Sequence, residues 1–396
     1  MRLKTLESDT LANGFSRKQI AAAVSPRFQE LILLPTERCN FRCTYCYEDF
    51  ELGAMSPEVQ RSIELFLDER TKGLLKLDFS WFGGEPLLAK NVVLRLSRYA
   101  KELCARQNVI FEGGLTTNGY LLDKATANDL LECNQNFFQI TLDGWEEMHD
   151  VVRRRADGRG TFDVIWRNLI GLKSINRPFE VSVRIHVRRD NLDNLKILMR
   201  RYAQEFGRDS RFYLNFQHLR NMGGAGGKTI IDGVSKDELP ILEAELRREF
   251  LDELGVRSSA TGGPTKKQAD EISRNVFVSS LEQNEAAGES ASGVRKSAVR
   301  AGLPYICYAA KPNSLLIRSN GRIGKCTVAF NDDRNDIGQI NGDGTITLDN
   351  AKLKPWMRGL GTLQASDLGC PIQKMSKEGL AGSTIGNIAV VVAKPL

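Results

Sequence analysis

The sequence predicts an α/β protein built on a parallel sheet, and three observations carry that reading. Six strand-like segments, Leu31–Pro35, Leu75–Phe82, Val109–Thr117, Phe137–Asp143, Glu180–Val187 and Arg211–Leu219, alternate with helix-like ones. The fifth alternates apolar and polar residues strictly from Val181 to Val187. Residues of chemical character follow directly after the first four strands, at the carboxyl ends where parallel α/β folds place their sites. Periodicity alone does not separate an open sheet from a barrel.

Taken in order, residues 1–28 read as a polar leader segment with a short helical stretch over Arg17–Val24. The first strand runs into a cysteine-rich loop. The first crossover helix opens at Ser56-Pro57-Glu58, a capping serine followed by proline where its missing N–H costs nothing. Ile63, Phe66 and Leu67 share one face of it, and it stops before Gly73. The next helix carries Val92, Val93, Leu96, Tyr99 and Leu103. Beyond the sixth strand, Asn221-Met222-Gly223-Gly224-Ala225-Gly226-Gly227 reads as a flexible stop. A helix follows with Leu242, Leu246, Phe250 and Leu254 at i, i+4 spacing, and Pro240 requires it to begin near Asp237 or Glu238. Residues 257–300, rich in Ser, Gly, Ala and charge, read as a linker or a substrate-side segment. The chain resumes at Cys307. Leu315–Cys326 reads as a hairpin around Asn320-Gly321, with the positive φ at both residues of a type I′ turn. A second turn, Asn341-Gly342-Asp343-Gly344, precedes the strand-like Thr345–Leu348.

The chain has 396 residues, enough for two domains, and its 41% hydrophobic and 26% charged content is ordinary for a soluble globular protein. The N-terminus lacks the apolar core of a signal peptide and no apolar run reaches membrane-spanning length, so the expected compartment is the cytoplasm, with no membrane partner. There the eight cysteines remain thiols or bind metal. A net charge of +6 is mild and decides no partner, and no nucleic-acid partner is expected. Arg153-Arg154-Arg155 reads as a solvated loop face. His149, His186 and His218 lack metal-site spacing and read as structural, and Cys104 and Cys133 as buried thiols on helices.

The chemistry sits first in Cys39-Asn40-Phe41-Arg42-Cys43-Thr44-Tyr45-Cys46. Three thiolates on one loop can hold three corners of an iron–sulfur cube and leave one iron open for a ligand. A zinc site calls for a fourth ligand that is not nearby, and a disulfide would leave one thiol over. Gly83-Gly84-Glu85-Pro86, Thr117-Asn118-Gly119 and Thr141-Leu142-Asp143-Gly144 follow strands two, three and four. The glycines allow close backbone approach. Taken alone, Thr117-Asn118-Gly119 is equally an Asx-type turn, and Arg184 on strand five is as readily a salt-bridge residue as a ligand contact.

The spacing C-x3-C-x-Φ-C, with Tyr45 as the aromatic, resembles the radical S-adenosylmethionine (SAM) enzymes, together with the Gly-Gly-Glu-Pro motif forty residues on. That resemblance implies a partial (β/α)6 TIM-type barrel over residues 29–222. It implies a [4Fe–4S] cluster on Cys39, Cys43 and Cys46 whose open iron chelates SAM, and a reductive cleavage that yields a 5′-deoxyadenosyl radical. SAM contacts would come from Tyr45, Gly83, Gly84, Glu85, Thr117, Asn118, Thr141, Asp143 and Arg184, with Glu85 and the motif's carbonyls accepting from the methionyl amine.

Cys307, then Gly321 and Cys326, resembles the opening of the SPASM and twitch domains of peptide-modifying radical SAM enzymes. The resemblance makes residues 301–396 a small α+β domain, with 223–300 a helix and linker. Of the further cysteines of a full SPASM domain only Cys370 remains; Asp367, Ser376 and Leu380 stand near the positions of others. The expectation is therefore one auxiliary [4Fe–4S] cluster on Cys307, Cys326 and Cys370, with an open iron or a fourth ligand such as Asp367. The alternative is a vestigial domain with three buried thiols. The function implied is a RiPP maturase that crosslinks a ribosomally made precursor peptide through C–C or thioether bonds, with a flavodoxin- or ferredoxin-type electron donor. The residues before the barrel are too few for a fused leader-binding domain, so leader recognition would fall to the barrel itself, to residues 257–300 or to a separate leader-binding protein. Formylglycine formation of the sulfatase-maturase kind and a non-catalytic iron–sulfur scaffold are the alternatives.

Overall fold

Local capping marks where the helices begin. The computed structural model describes residues 14–230, 233–255, 277–278, 304–375 and 388–391. In the first helix, α1 (Arg17–Val24), the Ser16 hydroxyl accepts from Gln19 N while the Gln19 side chain accepts from Ser16 N. Ser56 accepts from Val59 N ahead of Pro57 to open α2 (Pro57–Arg70), and Asp123 accepts from Thr126 N to open α4 (Lys124–Glu132). Between them lies α3 (Lys90–Arg106), which buries the apolar stripe read from the sequence. Further along run α5 (Glu147–Val152), α6 (Phe162–Lys173) and α7 (Leu192–Phe206). The helix α8 (Leu239–Glu253) carries Pro240 in its first turn, as the missing N–H requires, and buries Leu246 and Phe250.

These helices connect strands β1 (Phe28–Leu33), β2 (Lys76–Trp81), β3 (Ile110–Thr117), β4 (Gln135–Leu142), β5 (Glu180–Val187) and β6 (Phe212–His218). All five neighbouring pairs are parallel. Each strand with its crossover helix gives the α/β core of a partial TIM-type barrel. β1 starts earlier than the apolar run indicated, because Gln29 and Glu30 sit in register with Leu77 and Asp78 despite their polarity. A two-residue strand β7 (Phe277–Val278) pairs parallel with β6. It is the part of the expected 257–300 linker that falls within the described residues; residues 1–13 of the leader and Ser376 and Leu380 lie outside them.

On the other edge, β8 (Ser314–Ile317) pairs parallel with β1, Glu30 opposite Ser314 and Leu33 opposite Ile317. Antiparallel strands β9 (Arg322–Gly324), β10 (Gly338–Ile340), β11 (Ile346–Asp349) and β12 (Ile388–Val391) continue outward. The described strands thus form one 12-stranded sheet in which the C-terminal hairpins extend the barrel's edge. One apolar core runs through both parts, from Phe79 and Phe138 to Ile317, Ile323 and Trp356.

Two turn expectations need correction. Asn320 does not take a positive φ; only Gly321 does, at 82°. Gly321 N donates to Arg318 O and Arg318 N to Arg322 O, each at 2.9 Å. The connection is a three-residue loop with one left-handed glycine, so a type I turn suffices and Asn320 is unstrained. The glycine-rich stretch after β6 is also more than a stop. Gly224–Gly227 form a single helical turn pressed against the cysteine loop, described below.

Candidate functional site

The loop after β1 is held from four sides, and each side comes from a different part of the barrel. Arg42 N donates to Arg154 O at 2.8 Å and Thr44 N to Val152 O at 2.9 Å, so the cysteine loop forms a short antiparallel bridge with the end of α5. From β3, Asn118 Nδ2 donates to Asn40 Oδ1 at 2.8 Å and lies 3.9 Å from Cys39 Sγ. From the segment after β6, Gly226 N donates to Cys46 O at 3.1 Å and Thr229 Oγ1 to Thr44 O at 3.1 Å. From β2, Glu85 N donates to Arg38 O at 2.9 Å.

The glycines are explained by these approaches. A Cβ on Gly83 would meet Thr36 O at 2.2 Å, and one on Gly84 would meet Arg38 O at 2.4 Å. The close approach made by this pair is to the backbone entering the cysteine loop. Gly226 is equally tight, with a Cβ 2.3 Å from Cys46 O.

Glu85, expected to accept from a ligand amine, is fully buried and already engaged. Its Oε1 accepts from Leu87 N at 3.0 Å and Thr117 Oγ1 at 2.8 Å, and its Oε2 from Asn118 N at 2.7 Å. It therefore ties the end of β2 to the end of β3 and orients Asn118 toward Cys39. Glu37 is likewise taken, by both Nε and Nη2 of Arg318 from the C-terminal hairpin, at 2.9 and 2.7 Å. Glu48 differs: its Oε2 is sealed from solvent with no hydrogen-bond partner among the described residues. Burial first, then the charges of Glu37, Asp49 and Glu85, pushes its carboxyl up to about 8.

Beneath the loop, Tyr45, Asp143, Arg153 and His186 form one buried group. The Tyr45 hydroxyl donates to Asp143 Oδ2 and accepts from Arg153 Nη1 at 2.7 Å. His186 Nδ1 lies 2.9 Å from Asp143 Oδ1, and its ring meets Tyr45 edge-on at 5.2 Å. Burial works against the Asp143 charge, but His186 and Arg153 outweigh it and hold the carboxyl well below its usual range. Arg153 is thus not part of a solvated face. Its side chain turns inward because Asp143, Tyr45 and the cysteine loop supply the acceptors and charge that a buried guanidinium needs, while Arg154 stays exposed. His186 and His149 also serve this site. His149 Nδ1 accepts from Asp143 N at 3.3 Å, and its Nε2 meets Thr161 Oγ1 at 3.1 Å.

Thr141 and Arg184 stand side by side in register on β4 and β5, and Arg184 Nη2 donates to Gln139 Oε1 at 3.0 Å. The sequence put these two on strands four and five; it read Arg153 as solvated, His186 as structural and Gly226 as part of a flexible stop, and did not single out Glu48. The His149-x3-Arg153 spacing around one short helix was the available signal for Arg153.

Both cysteine groups suit iron–sulfur clusters. Burial pushes the Cys39, Cys43 and Cys46 thiols up, Cys46 to about 12, while the Arg153 charge pulls Cys43 back down. In the C-terminal part, burial raises Cys307 to about 11 and Cys326 to about 12, and Cys370 lies close enough to both to add to the shift. Buried soft sulfur donors close to one another are the donor set of such a cluster, and loading one would release their protons. Among the described residues no three His, Cys, Asp or Glu side chains converge on a single metal ion. Asn335 shapes the second group: its Oδ1 accepts from Lys325 N at 2.8 Å and Cys326 N at 2.9 Å, and its Nδ2 donates to Cys326 O at 2.8 Å. Asp367 is occupied by Thr362 Oγ1 at 2.9 Å and Arg358 Nε at 3.6 Å.

Residues 33–201 match the Radical SAM superfamily. This stretch is a radical SAM domain. Such domains use a [4Fe–4S] cluster and SAM. The serine-type anaerobic sulfatase-maturating enzyme of Klebsiella aerogenes is 27% identical over 183 residues, 43% of this chain and 44% of the relative. The GTP 3',8-cyclase of Microcystis aeruginosa is 40% identical over 154 residues, 37% of this chain and 44% of that protein. The chain spans less than half the length of either. Among solved structures, anSMEcpe with bound AdoMet and Cp18Cys peptide aligns over 80% of this chain and 78% of its own, with a TM-score of 0.51 and 21% identity. Streptococcus suis SuiB bound to precursor peptide SuiA aligns over 84% of this chain and 65% of its own, with a TM-score of 0.51 and 16% identity. At these identities the likeness is one of fold. It extends beyond the radical SAM domain itself. No described helix is long and apolar enough to cross a membrane.

Proposed function

We propose that this chain is a cytoplasmic radical SAM enzyme that modifies a ribosomally made peptide, and that the modification is a C–C or thioether crosslink. The observation that carries this reading is the joining of two cysteine groups across one sheet. Cys39, Cys43 and Cys46 lie beyond β1; Cys307 and Cys326 flank the hairpin paired to that same strand, and Cys307 N donates to Leu368 O, two residues before Cys370. In this reading the first group holds the cluster whose electron cleaves SAM, and the radical so formed takes a hydrogen from the peptide.

The chain's own residues divide the remaining work. Asn118 and Glu85 fix the Cys39 side of the loop. Arg153 and Asp143 fix Tyr45. Glu85 remains the expected acceptor for the SAM ammonium, and Glu48, whose Oε2 has no partner among the described residues, offers a second one. Thr141 and Arg184 line the adjoining strand ends as polar contacts. Cys307, Cys326 and Cys370 hold one auxiliary cluster with an open iron, since the Asp367 carboxylate already has protein partners. A flavodoxin or ferredoxin supplies the electron, and a separate protein presents the peptide's leader.

The test is anaerobic coexpression with candidate precursor peptides, read by mass spectrometry. Loss of two hydrogens in the peptide, dependent on Cys39 and mapped by fragmentation to a bond joining two residues, supports the crosslink. The resemblance to the sulfatase-maturating enzyme favours a second reading, formylglycine formation on a Ser or Cys, and a sulfatase-derived peptide included in the same assay decides between them. An absence of 5′-deoxyadenosine with every peptide and with dithionite rejects both.

A further inference from the structure

Lys325 lies between the end of β9 and Cys326, and it is 1% exposed. Its Nζ donates to the backbone carbonyls of Lys311, at 2.5 Å, and of Ser314. Both acceptors are neutral. Among the described residues no carboxylate lies within ion-pair distance of this ammonium. Burial pulls this amine down to about 7, and of the charges that act on it Cys307 and Glu30 favour the cation while Lys311 opposes it. A buried lysine is ordinarily paired, because an isolated ammonium in a protein interior costs several kcal/mol. Carbonyl hydrogen bonds solvate the ammonium but supply no counter-charge, so a nearby negative group is what would hold it fully protonated.

The balance is available on one side. Lys325 precedes Cys326 in the chain, the Cys307 sulfur is near enough to favour its cation, and Cys370 is near enough to both thiols to act on them. An iron–sulfur cube held by three thiolates carries net negative charge there. We propose that Lys325 is the resident counter-charge of the C-terminal cluster: a positioning residue whose ammonium stabilises the bound cluster and raises its reduction potential. The physical reason is that a fixed cation favours whichever state carries the extra electron. Asn335 holds the Lys325–Cys326 backbone in place, and the two carbonyls fix where the ammonium sits. This inference rests on the reading that Cys307, Cys326 and Cys370 hold a cluster.

The experiment removes the other cluster first. A Cys39→Ala, Cys43→Ala, Cys46→Ala protein is reconstituted anaerobically, with Lys325 intact or changed to Gln. Iron content, circular dichroism and an EPR-monitored redox titration are then recorded. With Lys325 intact the protein binds iron. With Lys325→Gln the reduction equilibrium falls at least tenfold, a shift of about 59 mV to more negative potential for a one-electron couple. A Lys325→Gln protein that is folded but binds no iron supports the inference when Lys325→Arg, which keeps the charge, restores the iron, and overturns it when Lys325→Arg does not. An unchanged midpoint potential overturns it and leaves the cluster assignment standing. An iron-free protein with Lys325 intact overturns the cluster assignment itself, and the inference with it. If Lys325→Gln does not fold, Lys325→Met enters the same titration; if neither folds, the lysine is a folding element and the inference fails.

Discussion

Arg153 donates from Nη1 to the Tyr45 hydroxyl at 2.7 Å, and so the aromatic residue of the cysteine loop is fixed by a buried cation from the end of α5. The same guanidinium lies 3.9 Å from Asp143, which Tyr45 and His186 also engage. A change at Arg153 would leave Asp143 charged, buried and without its cation.

Arg153→Met is therefore expected to destabilise the protein by about 3–5 kcal/mol, the scale for breaking a buried pair from one side. It should also lower iron bound after reconstitution. Arg153→Lys should recover only part of the loss, because an ammonium cannot reproduce the planar fork. Urea melts and iron analysis check both. A variant of wild-type stability with full iron would show that the group is incidental.

Each single change Cys39→Ala, Cys43→Ala or Cys46→Ala should abolish 5′-deoxyadenosine formation with dithionite. Two thiolates on this loop do not retain a cube. A normal yield from any one of them would remove that thiol from the cluster.

Gly226→Ala should lose the first cluster while Gly342→Ala should not. The first would put a methyl 2.3 Å from Cys46 O and 2.5 Å from Cys46 N, whereas the second meets nothing within 4 Å. The readout is iron bound by the domain in a Cys370→Ala background, so that only the first site counts. Equal iron in both variants would mean that the glycine turn yields without moving the loop.

Stability should fall as pH is lowered from about 6.5 toward about 3, through His149. Burial, aided by the Arg153 charge, pushes this imidazole down to about 3 in the folded protein. An unfolded histidine binds its proton near 6.5, so across that window the unfolded chain holds more protons and acid favours unfolding. The geometry agrees in sign, since Nδ1 must stay bare to accept from Asp143 N. Urea midpoints measured across that range should slope less steeply in His149→Asn. An identical slope would assign the acid sensitivity to other groups.

The parts of this site that could be read along the chain are those with local signatures. The Cys39–Cys46 spacing, the Gly83-Gly84-Glu85 turn and the capping at Ser56 each lie within a few residues. Arg153 was not readable in this way, because three consecutive arginines look solvated until α5 turns one of them toward Asp143. Glu85 was recognised, but its partners Thr117 and Asn118 belong to another strand and occupy the carboxylate. The turn at Asn320 misled because an Asn-Gly pair fits two hairpin types, and the outer Arg318–Arg322 bond decides between them. The pairing of β8 with β1 has no local signature at all, since parallel neighbours carry no turn between them.

That pairing has a consequence for synthesis. Gln29 and its hydrogen-bond partner Asn313 are 284 positions apart in the chain. At translation rates of about 5–20 residues per second, the outer edge of β1 waits roughly 15–60 seconds for its neighbour to be made. Throughout that time a nascent barrel presents an open row of backbone donors and acceptors, the surface on which strands from other chains add. Truncation before residue 314 would make this exposure permanent, so such fragments should accumulate in inclusion bodies unless a chaperone holds the edge.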